Sequence, residues 1–320
     1  MTGQLSLFDQ PTKPDKPQND PVQELDAITI NKDQPGAKLP DLVPDSALLA
    51  LNRGYGVRPV HVGRILGLLL EQKETGQSIT RDEIAEKLSM TWAAMQGTMN
   101  VMRRAELVDS QTRITPFGEL VLSSSPYLDN PGLLWLLHYL LGSNALLVLW
   151  SNLFNLVLQD REEITIQHAS ETFRVLEGRW SAKTIHEKTR HELGGIFKTY
   201  TEDLLEPLKI VAKSDFGVYQ SFWDTVTIPA LIWLSTVLIY RDRYYPGSSS
   251  LEIPLMTRAH YSPGRILRQN EASVRRALDV LHNAGLLTVE TRSGLDQVRF
   301  KREITWLRAI THHLRGEGLK

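Results

Sequence analysis

Residues 79–108 read ITRDEIAEKLSMTWAAMQGTMNVMRRAELV, and this stretch decides the fold. Thr80 and Glu83 form the pattern of a capping box, in which each residue satisfies an unpaired backbone N–H of the other. Ile79 and Ile84 fit the hydrophobic staple that surrounds such a cap. A short turn separates this helix from a second one whose apolar residues recur at helical spacing. The stretch therefore predicts two helices joined by a turn.

The flanking residues extend this pattern to a winged-helix module. An apolar helical segment, 62–72, precedes the pair, and strand-like pieces follow near Val108 and at Thr112–Thr115. Helix, capped helix, turn, helix and small β wing is the order of winged-helix DNA-binding domains, and the stretch resembles winged-helix transcription regulators. Because the third helix of such a module faces the major groove, we predict DNA contact at Arg103 and Arg104.

A second segment, 249–302, has a similar pattern. Asn270 is a good N-cap for a helix that Gly285 ends, and two strand-like runs, 286–290 and 297–300, follow it. This order predicts a recognition helix followed by a β wing. The residues predicted to contact DNA here are Arg265, Arg268, Asn270, Ser273, Arg275, Arg276, Arg292, Arg299, Lys301 and Arg302.

The charge distribution favours the second module as the nucleic-acid site. The whole chain of 320 residues has a net charge of −1, whereas residues 251–320 carry +5 and residues 51–125 carry +1. A local excess of arginine indicates a polyanion partner, since guanidinium groups form forked hydrogen bonds with guanine and phosphate. The same arginines also suit a solvated helix face or a protein-interaction surface, and both alternatives stay open.

The chain between the two modules, residues 126–245, is predicted to be helical. A stretch of this region, 133–158, is long enough to span a bilayer. Polar residues and a Gly-Ser-Asn turn interrupt it, however, so two buried helices explain it better than a membrane span. Large apolar side chains for a core come from Trp135, Trp150, Trp180, Trp223 and Trp233.

The N-terminal region is predicted to be a disordered tail. Residues 9–45 are rich in Pro, Asp, Lys, Gln and Asn and poor in large apolar residues, so they cannot bury enough surface to fold. The sequence therefore predicts a mainly α protein with a tail, two winged-helix modules and a helical middle. The domain boundaries are 1–45 for the tail, 46–125 and 246–320 for the winged helices, and 126–245 for the middle domain.

A short motif precedes the tail's proline-rich part. Gln4-Leu5-Ser6-Leu7-Phe8 matches, at every position, the pentapeptide with which bacterial proteins bind the β sliding clamp. Leu7 and Phe8 would enter an apolar pocket while the Gln4 amide anchors the peptide. Their burial would contribute about 3–6 kcal/mol, less the cost of ordering the tail. The alternatives are a chance pentamer and an apolar cluster that packs on its own domain.

Several enzymatic chemistries lack their residues. The chain has no cysteine, which excludes disulfides, thiolate zinc sites and a cysteine nucleophile, and suits a reducing cytoplasm. His186 and His191 are five residues apart and do not share a helix face, so they do not form the zinc motif of metalloproteases. Neither a P-loop nor a Gly-x-Ser-x-Gly elbow occurs. We predict no cofactor and no metal, and assign no catalytic residue.

Two stretches, TPFG at 115–118 and PYLDNPGLLWLLHYLL at 126–141, resemble a bacterial domain of unknown function, DUF4007. The resemblance covers residues 45–300. Members of that family often accompany sulfurtransferase-like enzymes of DNA phosphorothioation defence systems. The SspB-type component of such systems is similar to the family and is associated with DNA nicking.

The resemblance implies a cytoplasmic DNA-binding component of a phosphorothioation complex, with double-stranded DNA and sulfur-transfer and ATPase proteins as partners. A DNA-nicking enzyme of the same system, a transcriptional regulator and a protein scaffold are the alternatives. Many family members carry a His-Glu-Thr-Phe run near the domain start, where this chain has DSALLALNRGYG at 45–56. The departure puts catalysis by this chain in doubt.

Overall fold

The computed structural model describes residues 42–159, 161–224, 226–292 and 295–318. Within these ranges the chain is mainly helical, with thirteen α-helices and six short strands. The helices are α1 (Pro59–Thr75), α2 (Arg81–Lys87), α3 (Trp92–Arg104), α4 (Pro116–Ser124), α5 (Pro131–Gly142), α6 (Val148–Asn152), α7 (Ile166–Thr172), α8 (Ala182–Thr201), α9 (Ala230–Tyr244), α10 (Ile253–Arg258), α11 (Pro263–Ile266), α12 (Glu271–Asn283) and α13 (Trp306–Leu314). The strands are β1 (Glu163–Ile164), β2 (Val211–Lys213), β3 (Tyr219–Ser221), β4 (Ser250–Glu252), β5 (Leu287–Arg292) and β6 (Leu295–Phe300).

The capping box that predicts the start of α2 is present. Thr80 Oγ1 accepts a hydrogen bond from the backbone N–H of Glu83 at 3.2 Å, and a Glu83 carboxylate oxygen accepts one from the backbone N–H of Thr80 at 2.6 Å. After α3 the predicted strands shrink to a single antiparallel bridge between Val108 and Ile114. The strands predicted here as a β wing are therefore shorter than expected, because α4 begins at Pro116, two residues after the bridge.

The middle region of the chain, which the sequence predicts to be helical, contains a small three-stranded sheet. β3 pairs antiparallel with β1 and with β2, so the strand order is β1-β3-β2. The 133–158 stretch divides into α5 and α6 with a π-helical turn, Leu153–Val157. No helix in the described ranges has both the length and the apolarity needed to cross a bilayer.

The C-terminal region contains a three-stranded sheet and four helices. Its strand order is β4-β6-β5, and the β5–β6 register runs from Leu287 opposite Phe300 to Arg292 opposite Leu295. Along the chain the unit reads strand, three helices, two strands, then α13. The sequence patterns predicted α12, β5 and β6 but not β4, α10, α11 or α13.

One buried hydrophobic cluster runs through the described residues from the N-terminal helices to α13. Trp135, Trp150 and Trp233 are fully buried in it, as predicted. Trp180 is half-buried at its edge, whereas Trp223 lies at the surface with 36% of its area exposed. The core therefore uses three of the five predicted tryptophans fully.

A buried histidine connects three helices within this core. In the fully buried His138 of α5, Nδ1 lies 2.7 Å from the Tyr200 hydroxyl of α8, and Nε2 lies 2.8 Å from the Ile266 carbonyl of α11. Burial lowers the pKa of His138 to about 4. The ring is therefore neutral at pH 7 and donates one of these hydrogen bonds while accepting the other.

Candidate nucleic-acid interface

Helix α12 has one buried face and one exposed face. Asn270 caps its start, since the Asn270 side chain accepts a hydrogen bond from the backbone N–H of Ser273 at 2.9 Å. Val274, Leu278 and Leu281 are buried at helical spacing and fix the helix to the core. The opposite face is open to solvent and carries Ala272, Arg276, Asp279, Val280 and Asn283.

Several exposed cations of the C-terminal unit lie on α12 and around the β5–β6 hairpin. Arg276 is exposed and donates a hydrogen bond to the Ser273 hydroxyl of its own helix at 2.8 Å. Arg292 ends β5, and Lys301 and Arg302 follow β6; all three are exposed. We refer to Arg276, Arg292, Lys301 and Arg302 together as the C-terminal cationic face; Arg292 lies at the turn end of the hairpin, and Lys301 and Arg302 follow its opposite end.

Arg275 has a different environment from Arg276, although the two are neighbours in sequence. It forms ion pairs with Asp296 of β6 and with Glu271 of α12. The hydrogen bonds that Arg275 donates to Asp296 and Glu271 raise the pKa of Arg275 above its usual value. Arg275 therefore joins the helix to the hairpin, and its charge is neutralised internally.

Arg299 is also paired within the hairpin. Its guanidinium donates two hydrogen bonds to the Glu290 carboxylate of the neighbouring strand, at 3.0 and 3.2 Å. These hydrogen bonds lower the pKa of Glu290. Glu290 thus offsets the charge of Arg299, and the pair fixes the register of β5 against β6.

Arg268 does not lie on an exposed face, and the prediction that it contacts DNA is corrected here. The side chain is buried, and its guanidinium donates to the carbonyls of Phe222 and Leu158, each at 3.0 Å. Burial lowers the pKa of Arg268 to about 10. Its aliphatic stem and donors suit a structural role before α12.

Arg265 is half-buried beside His260. Its Nη1 lies 2.9 Å from His260 Nδ1. Burial, with the Arg265 charge as a second cause, lowers the pKa of His260 to about 4. A neutral His260 accepts the arginine's hydrogen bond, so Arg265 is held against the segment that supports α12.

In the N-terminal module, the predicted DNA contacts lie on a helix that is largely covered. Arg103 donates to the Asp109 carbonyl at 3.1 Å and to the Thr112 hydroxyl at 3.3 Å, so it holds the turn after α3. Burial, and secondarily the charge of Arg103, lowers the pKa of Arg104. Neither arginine extends freely into solvent.

Residues 51–57 run between α3 and α8, and Leu51 and Asn52 of this segment contact α3. A Cβ on Gly97 of α3 would lie 2.5 Å from the Asn52 carbonyl oxygen, so only glycine admits this close approach. The Asn100 amide donates to the Leu51 carbonyl at 3.2 Å. Glu192 of α8 holds the other side, accepting the backbone N–H groups of Leu51 and Asn52 at 3.2 and 3.0 Å. Helix α3 is therefore enclosed between its own module and α8.

Two further predictions concern residues or groups outside this face. The clamp-binding pentapeptide Gln4-Leu5-Ser6-Leu7-Phe8 lies outside the described residues. Among the described residues, no three His, Asp or Glu side chains come together as a metal site would require. His186 and His191 are both exposed on α8.

Sequence reasoning found the arginines but missed the carboxylates that neutralise some of them. Glu271 lies four residues before Arg275 on one helix, and that spacing is a readable signal of an ion pair. Asp296 reaches the same arginine from β6, and no sequence spacing indicates that contact. Sequence also gave no sign that residues 51–57 cover α3.

The geometry defines a mainly helical protein with two small antiparallel sheets and a C-terminal unit of strand, three helices and hairpin. The sequence profile of the family described as "Protein of unknown function (DUF4007)" matches residues 92–312, and the chain belongs to that family. The resemblance predicted from the stretches at 115–118 and 126–141 is confirmed.

Two solved structures share this fold. Two crystal structures of a protein named SspB, one with bound magnesium ion, each match with a TM-score of 0.68 and 16% sequence identity. They cover 85% of this chain and 88% and 89% of the SspB chains. At this identity the likeness shows a shared fold. No curated protein sequence matches the chain.

Proposed function

We propose that the chain is a DNA-binding component of a cytoplasmic DNA phosphorothioation-type modification or defence system, and that residues 250–314 are its DNA-binding module. The observation that carries the proposal is the element order strand, three helices and hairpin, with sheet order β4-β6-β5, which resembles a winged helix in having a helix directly before a β hairpin. Membership of the DUF4007 family and the SspB-like fold support the choice of system.

In this proposal α12 enters the major groove and the hairpin contacts the backbone. Arg276, with Asn270 and Ser273 near the helix start, faces base edges, since the N-terminal residues of a recognition helix approach the bases. Arg292, Lys301 and Arg302 contact phosphates and make binding salt-sensitive. Arg275 and Arg299 are positioning residues that hold helix and hairpin together.

The enclosed α3 makes the N-terminal module a supporting element in this proposal, and Arg103 and Arg104 stabilise it. The pentapeptide at residues 4–8 gives the chain a means of recruitment to the β sliding clamp. Support for that step is the match at all five positions. Binding of a tail peptide to the clamp tests it: the change Leu7→Ala with Phe8→Ala abolishes binding if the proposal holds, and unchanged binding refutes it.

The main test measures duplex DNA affinity across a salt series. We expect Arg276→Glu with Arg292→Glu to weaken binding at least about 100-fold at low salt, because two contacts at about 1–3 kcal/mol each are replaced by repulsion. The slope of log binding constant against log salt concentration should fall in magnitude by about 0.9 for each phosphate contact that is lost. Arg81→Glu with Lys87→Glu, a double charge reversal of the same size on exposed α2, should leave both affinity and slope unchanged.

Wild-type protein that does not bind duplex DNA at low salt would refute the module and favour the scaffold alternative. Equal losses in the two double variants would indicate a general charge effect and also refute it. The same samples test the nicking alternative, because conversion of supercoiled plasmid to open circles with Mg²⁺ would add an enzymatic role.

A further inference from the structure

Phe222 and Trp223 form an exposed aromatic pair between β3 and α9. Their exposed fractions are 37% and 36%, although side chains of this size usually contribute to a core. The sequence analysis assigned Trp223 to the core. Neither residue belongs to the C-terminal cationic face, and the proposed function does not use them.

The buried Arg268 holds this pair rigidly. Its Nε donates to the Phe222 carbonyl at 3.0 Å, and its guanidinium carbon lies 4.2 Å from the centroid of the Trp223 ring. One face of the indole is thus covered by a cation, while 36% of the Trp223 residue is exposed to solvent. A fixed aromatic ring loses little side-chain entropy when a ligand stacks on it.

Hydrogen bonds also fix the pair next to the start of α12. The Asp224 backbone N–H donates to the Arg268 carbonyl at 3.0 Å, and the Asp224 carboxylate accepts the Asn270 backbone N–H at 3.1 Å. Asn270 is the N-cap of α12. The aromatic pair therefore flanks the helix end that approaches base edges in the proposed DNA complex.

We propose that Phe222 and Trp223 form a stacking site for an unpaired base of the DNA that lies along the N-terminal end of α12. The ligand that the module prefers is then a duplex with a locally unpaired base. This inference rests on the proposed function and names its substrate class.

The chemistry of the surroundings selects a nucleobase as the occupant. Aromatic side chains stack on any base, since every base has a π face, and proteins that bind unpaired DNA combine such rings with cationic grooves. Residues 251–320, which include α12 and the hairpin, carry +5. That charge attracts a polyanion, and it does not favour an apolar protein segment as the occupant.

The test compares two DNA probes that differ in one feature: a fully paired duplex and the same duplex with one extra unpaired nucleotide. We expect the wild-type chain to bind the second probe about tenfold more tightly, equivalent to about 1.4 kcal/mol. Trp223→Leu keeps an apolar side chain but removes the aromatic ring, so it should abolish the preference while affinity for the paired duplex stays within about twofold. Trp223→Phe should keep most of the preference.

Tyr127→Leu is the matched control, because Tyr127 is a 77% exposed aromatic residue in the loop between α4 and α5. It should leave the preference intact. Equal wild-type affinity for the two probes would overturn the stacking site while leaving duplex binding, and hence the proposed function, in place. Equal weakening of both probes by Trp223→Leu would also overturn it, since that result assigns Trp223 to the support of α12. Absence of binding to the paired duplex would refute the proposed function itself.

Discussion

Helices α3 and α12 are the two helices predicted to contact DNA, both have thirteen residues, and both begin with a side-chain cap, yet their environments differ. In α3, Met95, Gly97, Thr98, Met99, Val101 and Met102 are buried. In α12, only Val274, Leu278 and Leu281 are buried. The comparison teaches that a helix-turn-helix pattern predicts a helix but does not decide whether its outer face is free to bind.

The cause of the difference is what covers each helix. Residues 51–57 pass over α3, and α8 holds them in place through Glu192, whereas the outer face of α12 is solvent-exposed. For this reason the proposed DNA contacts are on α12 rather than on α3. The following changes test the difference between the two helices, in order of the expected effect on stability.

Acid should destabilise the α12 side of the molecule first. Burial lowers the pKa of His138 and His260 from 6.5 to about 4 in the folded chain. Below pH 6.5 the unfolded chain binds protons that the folded chain does not, so stability is present above that pH and is lost as pH falls towards 4. The expected loss at pH 5 is about 2 kcal/mol for each histidine.

Hydrogen exchange at pH 7 and pH 5 measures this loss. His260 precedes α12 and His138 contacts the Ile266 carbonyl, so amides of α12 should lose protection before those of α3. His138→Gln should reduce the dependence of unfolding free energy on pH, while His168→Gln, at an exposed position on α7, should not. If amides of α3 lost protection before those of α12, the expected order of acid destabilisation would be wrong.

The second change concerns the close approach over α3. Gly97→Ala places a methyl group 2.5 Å from the Asn52 carbonyl oxygen, so the backbone must shift. We expect a loss of about 1–3 kcal/mol in unfolding free energy, the usual cost of overpacking. Thermal or urea unfolding measures it.

Gly67→Ala in α1 is the matched control for that substitution. Its Cβ would meet no described atom within 4 Å, and alanine in a helix interior should stabilise by about 0.5–1 kcal/mol. The two alanines should therefore shift the melting temperature in opposite directions. If both substitutions shifted the melting temperature in the same direction, residues 51–57 would not pack closely against α3.

The smallest expected effect on stability is the difference between alanine substitutions at Arg275 and at Arg276. Arg275→Ala should lower unfolding free energy by no more than about 1 kcal/mol, because its pairs with Asp296 and Glu271 are partly solvent-exposed. Arg276→Ala should leave stability within about 0.5 kcal/mol and instead weaken DNA binding. A double-mutant cycle with Asp296→Asn isolates the pair, and zero coupling would mean that Arg275 does not join helix to hairpin.

Local sequence signals determined many elements of this protein. The capping box at Thr80 and Glu83, the N-cap Asn270 and the helical spacing of Val274 and Leu278 act between residues a few positions apart. Their physical effect is therefore complete within the segment, and the helices they predict are present. The stretch PYLDNPGLLWLLHYLL at 126–141, with TPFG at 115–118, likewise sufficed to predict the family.

Only the tertiary structure decided which residues are available. The sequence predicted an exposed Arg268 and a buried Trp223. In the structure the arginine is buried and the tryptophan above it is exposed. The cover over α3 and the pairing of Arg275 with Asp296 join residues far apart in the chain. Burial and ion pairing depend on what lies nearby in space, and a single sequence with no contact information does not specify those neighbours.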